Sequence, residues 1–235
     1  MIYFLQRLRR IFRIILGQEY FTVVDCQLVK KNFGSEFAGW DVAMDYINSE
    51  SVVFSFGVGE DVSFDLELIE YFNLTVHAFD PTPKSIEWID SQQLPANFVL
   101  HKYGLADFNG TVRFNSPENP AHVSYTMLNR PSRKSSSIDV LVKNISTIIK
   151  DIGYKKIDVM KMDIEGAEYA VINNLEMSGI RPKQLLVEFH HRFPGVGVRK
   201  TKEAVCKLRA MGYRLFCISS RGEEYSFIYQ PGNKS

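Results

Sequence analysis

The sequence is short of several things at once, and each shortage excludes a class of protein. Three cysteines in 235 residues, Cys26, Cys206 and Cys217, are an odd number with no short metal-ligand spacing, so neither a disulfide scaffold nor a cysteine zinc site is indicated. A reducing compartment follows, and we expect a cytoplasmic protein. No apolar run is long enough to cross a bilayer. Charge of one sign is not in excess: 28 Lys+Arg against 27 Asp+Glu give +1, too even for a nucleic-acid binder that uses its whole surface. There is no internal repeat, and the only biased tract is Ser135-Ser136-Ser137. Three Asn-x-Ser/Thr triplets, beginning at Asn73, Asn109 and Asn144, carry no weight without a secretory signal.

What is present is the composition of one ordered globular domain with additions, 45% hydrophobic, 13% aromatic and 23% charged. The charge is polarised along the chain. From Asp41 to Asp90 eleven acids face the single base Lys84, and from Arg181 to Arg221 ten bases face Glu188 and Glu203. The first stretch favours a cationic partner and the second an anionic one.

Residues 2–16 combine Arg7, Arg9, Arg10 and Arg13 with Phe4, Leu5, Leu8, Ile11, Phe12, Ile15 and Leu16 and contain no acid. At 100° per residue the apolar side chains fill one half of the wheel and the arginines the other, which predicts a basic amphipathic helix over residues 1–17. Arginine interrupts it too often for a membrane span or a signal peptide. It is suited to lie on an anionic membrane surface, placing the protein at the cytosolic face, or to pack on a partner or on its own domain. Residues 18–50 read as an N-terminal extension and 51–235 as the main domain.

Within that domain short apolar runs alternate with helical segments. Strands are expected at 51–56, 74–79, 97–101, 157–162 and 184–189, helices at 62–72, 84–89, 145–152, 167–175 and 201–211, and a C-terminal hairpin at 213–219 and 224–229. Residues 109–137, with Pro117, Pro120 and Pro131, read as an inserted hairpin and long loop that closes over a ligand together with Gly39-Trp40. The expected fold is α/β and Rossmann-like, a mostly parallel sheet closed by an antiparallel hairpin.

Ser55-Phe56-Gly57-Val58-Gly59-Glu60-Asp61 falls where the first strand of this domain feeds its first helix, the place at which open α/β sheets bind nucleotides. Asp80 follows the next strand 21 residues after Gly59, a spacing suited to a carboxylate on ribose hydroxyls. A dinucleotide needs a third glycine where this chain has Val62, and Glu60 and Asp61 would repel its diphosphate. S-adenosylmethionine carries a sulfonium and an ammonium instead, and the same acids attract it.

A second group of acids ends the strand at 157–162: Lys161-Met162-Asp163-Ile164-Glu165-Gly166-Ala167-Glu168. Asp163 faces the reaction zone, whereas Glu165 and Glu168 are equally explained as acids at a helix N-terminus. The following strand delivers Glu188-Phe189-His190-His191 to the same edge. His190 reads as a general base near an acceptor hydroxyl; alternatively Asp163, Glu188 and His190 hold a divalent metal, a reading the absence of a compact ligand motif disfavours.

At these residues the sequence resembles the FkbM-type methyltransferases, S-adenosylmethionine-dependent enzymes that are mostly O-methyltransferases of sugars, polyketides and related natural products. The residues 161–168 are similar to the family's lysine-hydrophobe-aspartate-hydrophobe-glutamate-glycine-alanine-glutamate signature, and His77-Ala78-Phe79-Asp80-Pro81-Thr82-Pro83 to its aromatic-acid-proline element. The resemblance implies a class I methyltransferase fold with a seven-stranded sheet. It places Gly57 and Gly59 beside the methionine moiety, Asp80 and Pro81 at the ribose, the Gly104-Leu105-Ala106 turn at the adenine, and Asp163 at the sulfonium or acceptor. Many members carry aspartate where this chain has Ser55 and a Gly-Ala-Asn turn where it has Gly57-Val58-Gly59, so Glu60 or Asp61 stands in for the ammonium contact.

Three functions are therefore set against one another: methylation of a hydroxyl on a sugar, glycan or related small molecule; an inactive module of the same fold that docks on a membrane or partner; and a nicotinamide oxidoreductase, which Val62 disfavours. Asp163, His190 and Glu188 are the catalytic candidates.

Overall fold

The computed structural model describes residues 2–36, 38–115 and 137–232, and of residues 2–4 the backbone alone. In chain order the elements are α1 (Ile2–Ile15), β1 (Lys30–Phe33), β2 (Trp40–Ala43), β3 (Val52–Phe56), α2 (Ser63–Phe72), β4 (Thr75–Phe79), α3 (Pro83–Asp90), β5 (Phe98–His101), β6 (Gly104–Leu105), β7 (Gly110–Asn115), β8 (Ser137–Lys143), α4 (Ile145–Ile152), β9 (Val159–Met162), α5 (Glu168–Ser178), β10 (Gln184–Glu188), α6 (Val198–Ala210), β11 (Tyr213–Ile218) and β12 (Glu224–Tyr229).

Seven strands form one sheet in the order β11-β12-β10-β9-β3-β4-β5. The five from β10 to β5 are parallel; β12 runs antiparallel to β10, and β11 to β12. All five residues of β3 are buried, as an interior strand covered on both faces requires. Phe54, Phe56, Met160 and Met162 pack toward α4, α5 and α6, where Ile148, Ile172 and Leu208 meet them. Val53, Val76 and Val159 pack on the other face against Phe64, Leu68 and Ile69 of α2. From β3 the chain steps outward to β4 and β5, then returns to lay β9 on the other side of β3. Strand order reverses between β3 and β9, so a crevice opens at their carboxyl ends.

Two additions bear on that crevice. β6, β7 and β8 form a small sheet in the order β6-β8-β7, with β7 and β8 antiparallel. Gly104 and Leu105 are thus a two-residue strand paired with Val142 and Lys143, not the turn expected from the sequence. Most of the inserted loop read at 109–137, with its role as a cover, lies outside the described residues. The second addition is the β1–β2 hairpin, which the sequence did not suggest. It is fastened to β10 by Gln184, whose side chain accepts from the Ala43 N–H at 2.8 Å and donates to the Ala43 carbonyl at 3.1 Å.

The helix α1 is applied to the domain by its polar side. Ser220 Oγ lies 2.5 Å from Gln6 Oε1, and Arg10 donates to the Ser219 carbonyl at 3.3 Å. Its apolar residues Leu5, Leu8, Ile11, Phe12, Ile15 and Leu16 face outward, with Phe12 62% and Ile15 76% exposed. The chain after α1 is anchored by Glu19, a buried carboxylate 2.7 Å from His191 Nε2 and 2.5 Å from Arg192. Burial works against its charge, but these two partners outweigh it and hold Glu19 below the usual carboxylate range. Among the described residues no helix is long and apolar enough to cross a membrane.

Candidate active site

The crevice is a cleft of about 220 Å³. Gly57, with φ 74°, turns the chain out of β3 where side chains do not fit: a Cβ there would lie 1.7 Å from the Asp163 carbonyl oxygen. Only glycine allows the ends of β3 and β9 to approach so closely. Gly59, also in the left-handed region, donates its N–H to Asp80 Oδ2 at 2.9 Å. The other Asp80 oxygen accepts from the Thr82 N–H at 2.9 Å and the Thr82 hydroxyl at 2.6 Å. Asp80 is only 4% exposed, and burial raises its pKa against these hydrogen bonds. A carboxylate accepts about four hydrogen bonds, so Asp80 holds the glycine turn and keeps capacity toward the cleft it lines.

Glu60, Asp61, Pro81, Gly104 and Leu105 line the same cleft, as do Gly39 and Trp40 from the N-terminal hairpin. Glu60 lies 3.6 Å from Lys84. Asp61 accepts from the Ser63 N–H at 2.9 Å and from the Ser35 hydroxyl at 2.7 Å. Burial is outweighed by these bonds and by Lys161, which keep Asp61 ionised below the ordinary carboxylate range.

Sequence reading overlooked the groups beneath the glycine turn. Lys161 is buried and donates to the Gly57 carbonyl at 2.8 Å. Its register neighbour on β3 is Ser55. The carboxylate near this lysine comes instead from α2: Asp65 is fully buried, and burial raises its pKa to about 6 against the attraction of Lys161 and Ser55. The available signal was an acid one turn ahead of the buried Leu68 and Ile69, at a core-facing position of a helix.

At the other end of the cleft Asp163 and Glu188 line the wall, joined by Glu165. His190 stands one layer behind them, with Nε2 3.6 Å from Asp163 Oδ1 and 3.6 Å from Glu165 Oε2. Glu168 is 0% exposed and accepts from the Gly166 N–H and the His190 N–H, each at 2.9 Å, so it buckles the β9–α5 connection to the end of β10. Burial lowers the His190 pKa, but Glu168, Asp163 and Glu165 outweigh it and raise it to about 10. The three carboxylates favour the protonated ring, and His190 stands behind the residues that line the cleft rather than on its wall, where the sequence reading as a general base would put it. His191 points away from the cleft to Glu19. The Glu188 carboxyl is raised by burial and by the Asp163 charge. Among the described residues, the three atoms that converge as a ligand set belong to Asp163, Glu165 and His190; Glu188, the third ligand in the metal reading of the sequence, is not among them.

Comparison with known proteins agrees with this geometry. Residues 51–215 match the model of the methyltransferase FkbM domain. Probable methyltransferase-like protein 24 of Homo sapiens is 26% identical over 163 residues, covering 68% of this chain and 38% of that protein. Its Rattus norvegicus counterpart is 27% identical over 158 residues, 66% and 37%. The chain thus spans less than half the length of the curated relatives it matches. The crystal structure of methyltransferase FkbM from Methylobacillus flagellatus KT shares the fold, with a TM-score of 0.52 at 14% identity over 78% of this chain and 44% of that one. Sheet order, switch-point cleft and family match agree, and the chain belongs to the FkbM methyltransferase domain family.

Proposed function

We propose that the chain is an S-adenosylmethionine-dependent methyltransferase acting on a hydroxyl of a sugar, glycan or related metabolite. The observation that carries this reading is the meeting of Gly57, Asp80 and Asp163 in one cleft whose walls also bear Glu60, Asp61 and Glu165. The donor set suits the cofactor: Asp61 is ionised for a cationic group, Asp80 retains acceptor capacity for ribose, and Leu105 and Phe114 offer apolar surface for a base. The same acids oppose a diphosphate, which speaks against a nicotinamide dinucleotide.

When bound, S-adenosylmethionine supplies a methyl group made electrophilic by its sulfonium. The chain's own task is chiefly positioning. The turn at Gly57 and Gly59 orients the donor, and Asp163, whose side chain is 31% exposed, takes the acceptor proton. Asp163, on the cleft wall, would accept the O–H proton as the acceptor oxygen takes the methyl group that a bound donor would supply. Glu188 and Trp40, on the cleft wall, give a polyhydroxylated acceptor a hydrogen-bonding group and a ring face. Transfer of labelled methyl from S-adenosylmethionine into cell-extract fractions tests the reading: the wild type labels a glycan or small-molecule fraction and Asp163→Asn does not. No label in any fraction contradicts it.

The outward apolar side of α1 supports a place of action as well. Its exposed apolar residues and the exposed Arg7 and Arg9 match acyl chains and anionic headgroups, so we infer peripheral contact with an anionic membrane.

A further inference from the structure

We propose that Asp163, Glu165 and His190 form a site for one divalent cation of the Mg2+/Mn2+ class at the acceptor end of the cleft. One atom from each residue lies within 4.8 Å of the other two, and His190 Nε2 is 3.6 Å from both carboxylate oxygens. Metal–ligand bonds of about 2.1 Å place neighbouring octahedral ligands about 3 Å apart, so the two His190 pairs at 3.6 Å need to close by about half an ångström and the two carboxylate oxygens, within 4.8 Å of one another, by at most about 2 Å. Small side-chain rotations supply that.

An independent observation comes from the imidazole. The His190 side chain is 7% exposed; its buried Nδ1, 3.4 Å from Glu168, has no hydrogen-bond partner, and its Nε2 is aimed between Asp163 and Glu165, 3.6 Å from each. Neither carboxylate comes within hydrogen-bond distance of Nε2, and a cation between this nitrogen and the two carboxylates would give it a partner. Behind the ring, Glu168 is fixed by its two backbone hydrogen bonds, giving the carboxylate–histidine–metal order in which an outer acid orients a ligating imidazole. Glu165 reaches the site from a left-handed backbone, φ 52°. Two carboxylates and one imidazole suit Mn2+ or Mg2+ better than a thiolate-seeking metal. Because Asp163 and Glu165 line the cleft, the remaining coordination positions face it, where they would hold oxygen atoms of the acceptor. The inference rests on the methyl-transfer reading for that use of the cation and not for its binding.

Mn2+ itself is the probe, titrated into the full chain with free ion read by electron paramagnetic resonance. One Mn2+ bound per chain is expected, with His190→Gln and Glu165→Gln each weakening uptake at least ~10-fold and Glu168→Gln, which touches no metal, by ~10-fold. Glu165 sits at the cleft wall, so a wild-type melting curve for Glu165→Gln is expected and keeps lost uptake from reflecting misfolding. No uptake by the wild type, or equal uptake by wild type and all three variants, overturns the site. S-adenosylhomocysteine titrated into the same samples separates the two readings: analogue binding with no Mn2+ uptake removes the cation site and leaves methyl transfer standing.

Discussion

Replacing Gly57 by alanine probes the contact on which the cleft is built. The added Cβ would meet the Asp163 carbonyl oxygen at 1.7 Å, and no real Cβ approaches closer than 3.0 Å, so the ends of β3 and β9 must part by the difference, about 1.3 Å. The left-handed backbone adds about 1–2 kcal/mol for any residue with a side chain. Gly153, at the end of α4, has φ 90° and nothing within 4 Å of its virtual Cβ, so Gly153→Ala carries the backbone strain alone. We expect Gly153→Ala to lower unfolding free energy by about 1–2 kcal/mol and leave S-adenosylhomocysteine affinity unchanged. Gly57→Ala should lose more stability. Misplacement by an ångström costs about 100-fold where geometry is decisive, so its affinity should fall by about that factor, roughly 2.7 kcal/mol. Urea unfolding and calorimetric titration measure both. Equal stability of the two variants, with Gly57→Ala binding the analogue within threefold of wild type, refutes the reasoning.

Other expectations concern more distant parts of the molecule. His77 is held neutral, its pKa lowered to about 4 by burial and by His101, whose Nε2 lies 2.9 Å from His77 Nδ1. The unfolded chain protonates first, near pH 6.5, so the stability is full above that pH and drains as pH falls toward 4. Between pH 8 and 5 urea unfolding should show a loss of about 2 kcal/mol in the wild type and a smaller one in His77→Gln. Glu19→Ala leaves the buried His191 without its carboxylate and Arg192 with Glu223 alone and should lower unfolding free energy by about 3 kcal/mol; a melting temperature within a degree of wild type would contradict this. Phe12→Asp with Ile15→Asp, both at outward positions, should cut flotation with phosphatidylserine vesicles at least ~10-fold, since each apolar side chain contributes about 1.5–3 kcal/mol, while binding of S-adenosylhomocysteine stays as in the wild type.

Much of the architecture was legible because it rests on local patterns. The mostly apolar runs at β3, β9 and β10, flanked by helical segments, marked interior strands, and the glycine turn and Asp80 stood at spacings that place them at one crevice. The β1–β2 hairpin was hidden because Lys30, Lys31 and Asn32 are exposed and show no alternation. Gly104-Leu105 is too short to signal a strand. At the site, residue types were readable and side-chain directions were not. The left-handed backbone at Glu165 turns its carboxylate toward His190, while Glu168 is drawn inward to bind two N–H groups. His191, adjacent to His190, turns away because its partner Glu19 comes from a segment 172 residues distant, a pairing no local pattern records.

The central claim is that acids gathered at the sheet's switch point receive a positively charged methyl donor. Titrating the purified chain with S-adenosylmethionine and, in parallel, with NAD tests it most directly. Saturable binding of the sulfonium compound at one site per chain, with no heat from the dinucleotide, is the result expected; preference for NAD, or no binding of S-adenosylmethionine at millimolar concentration, would contradict it.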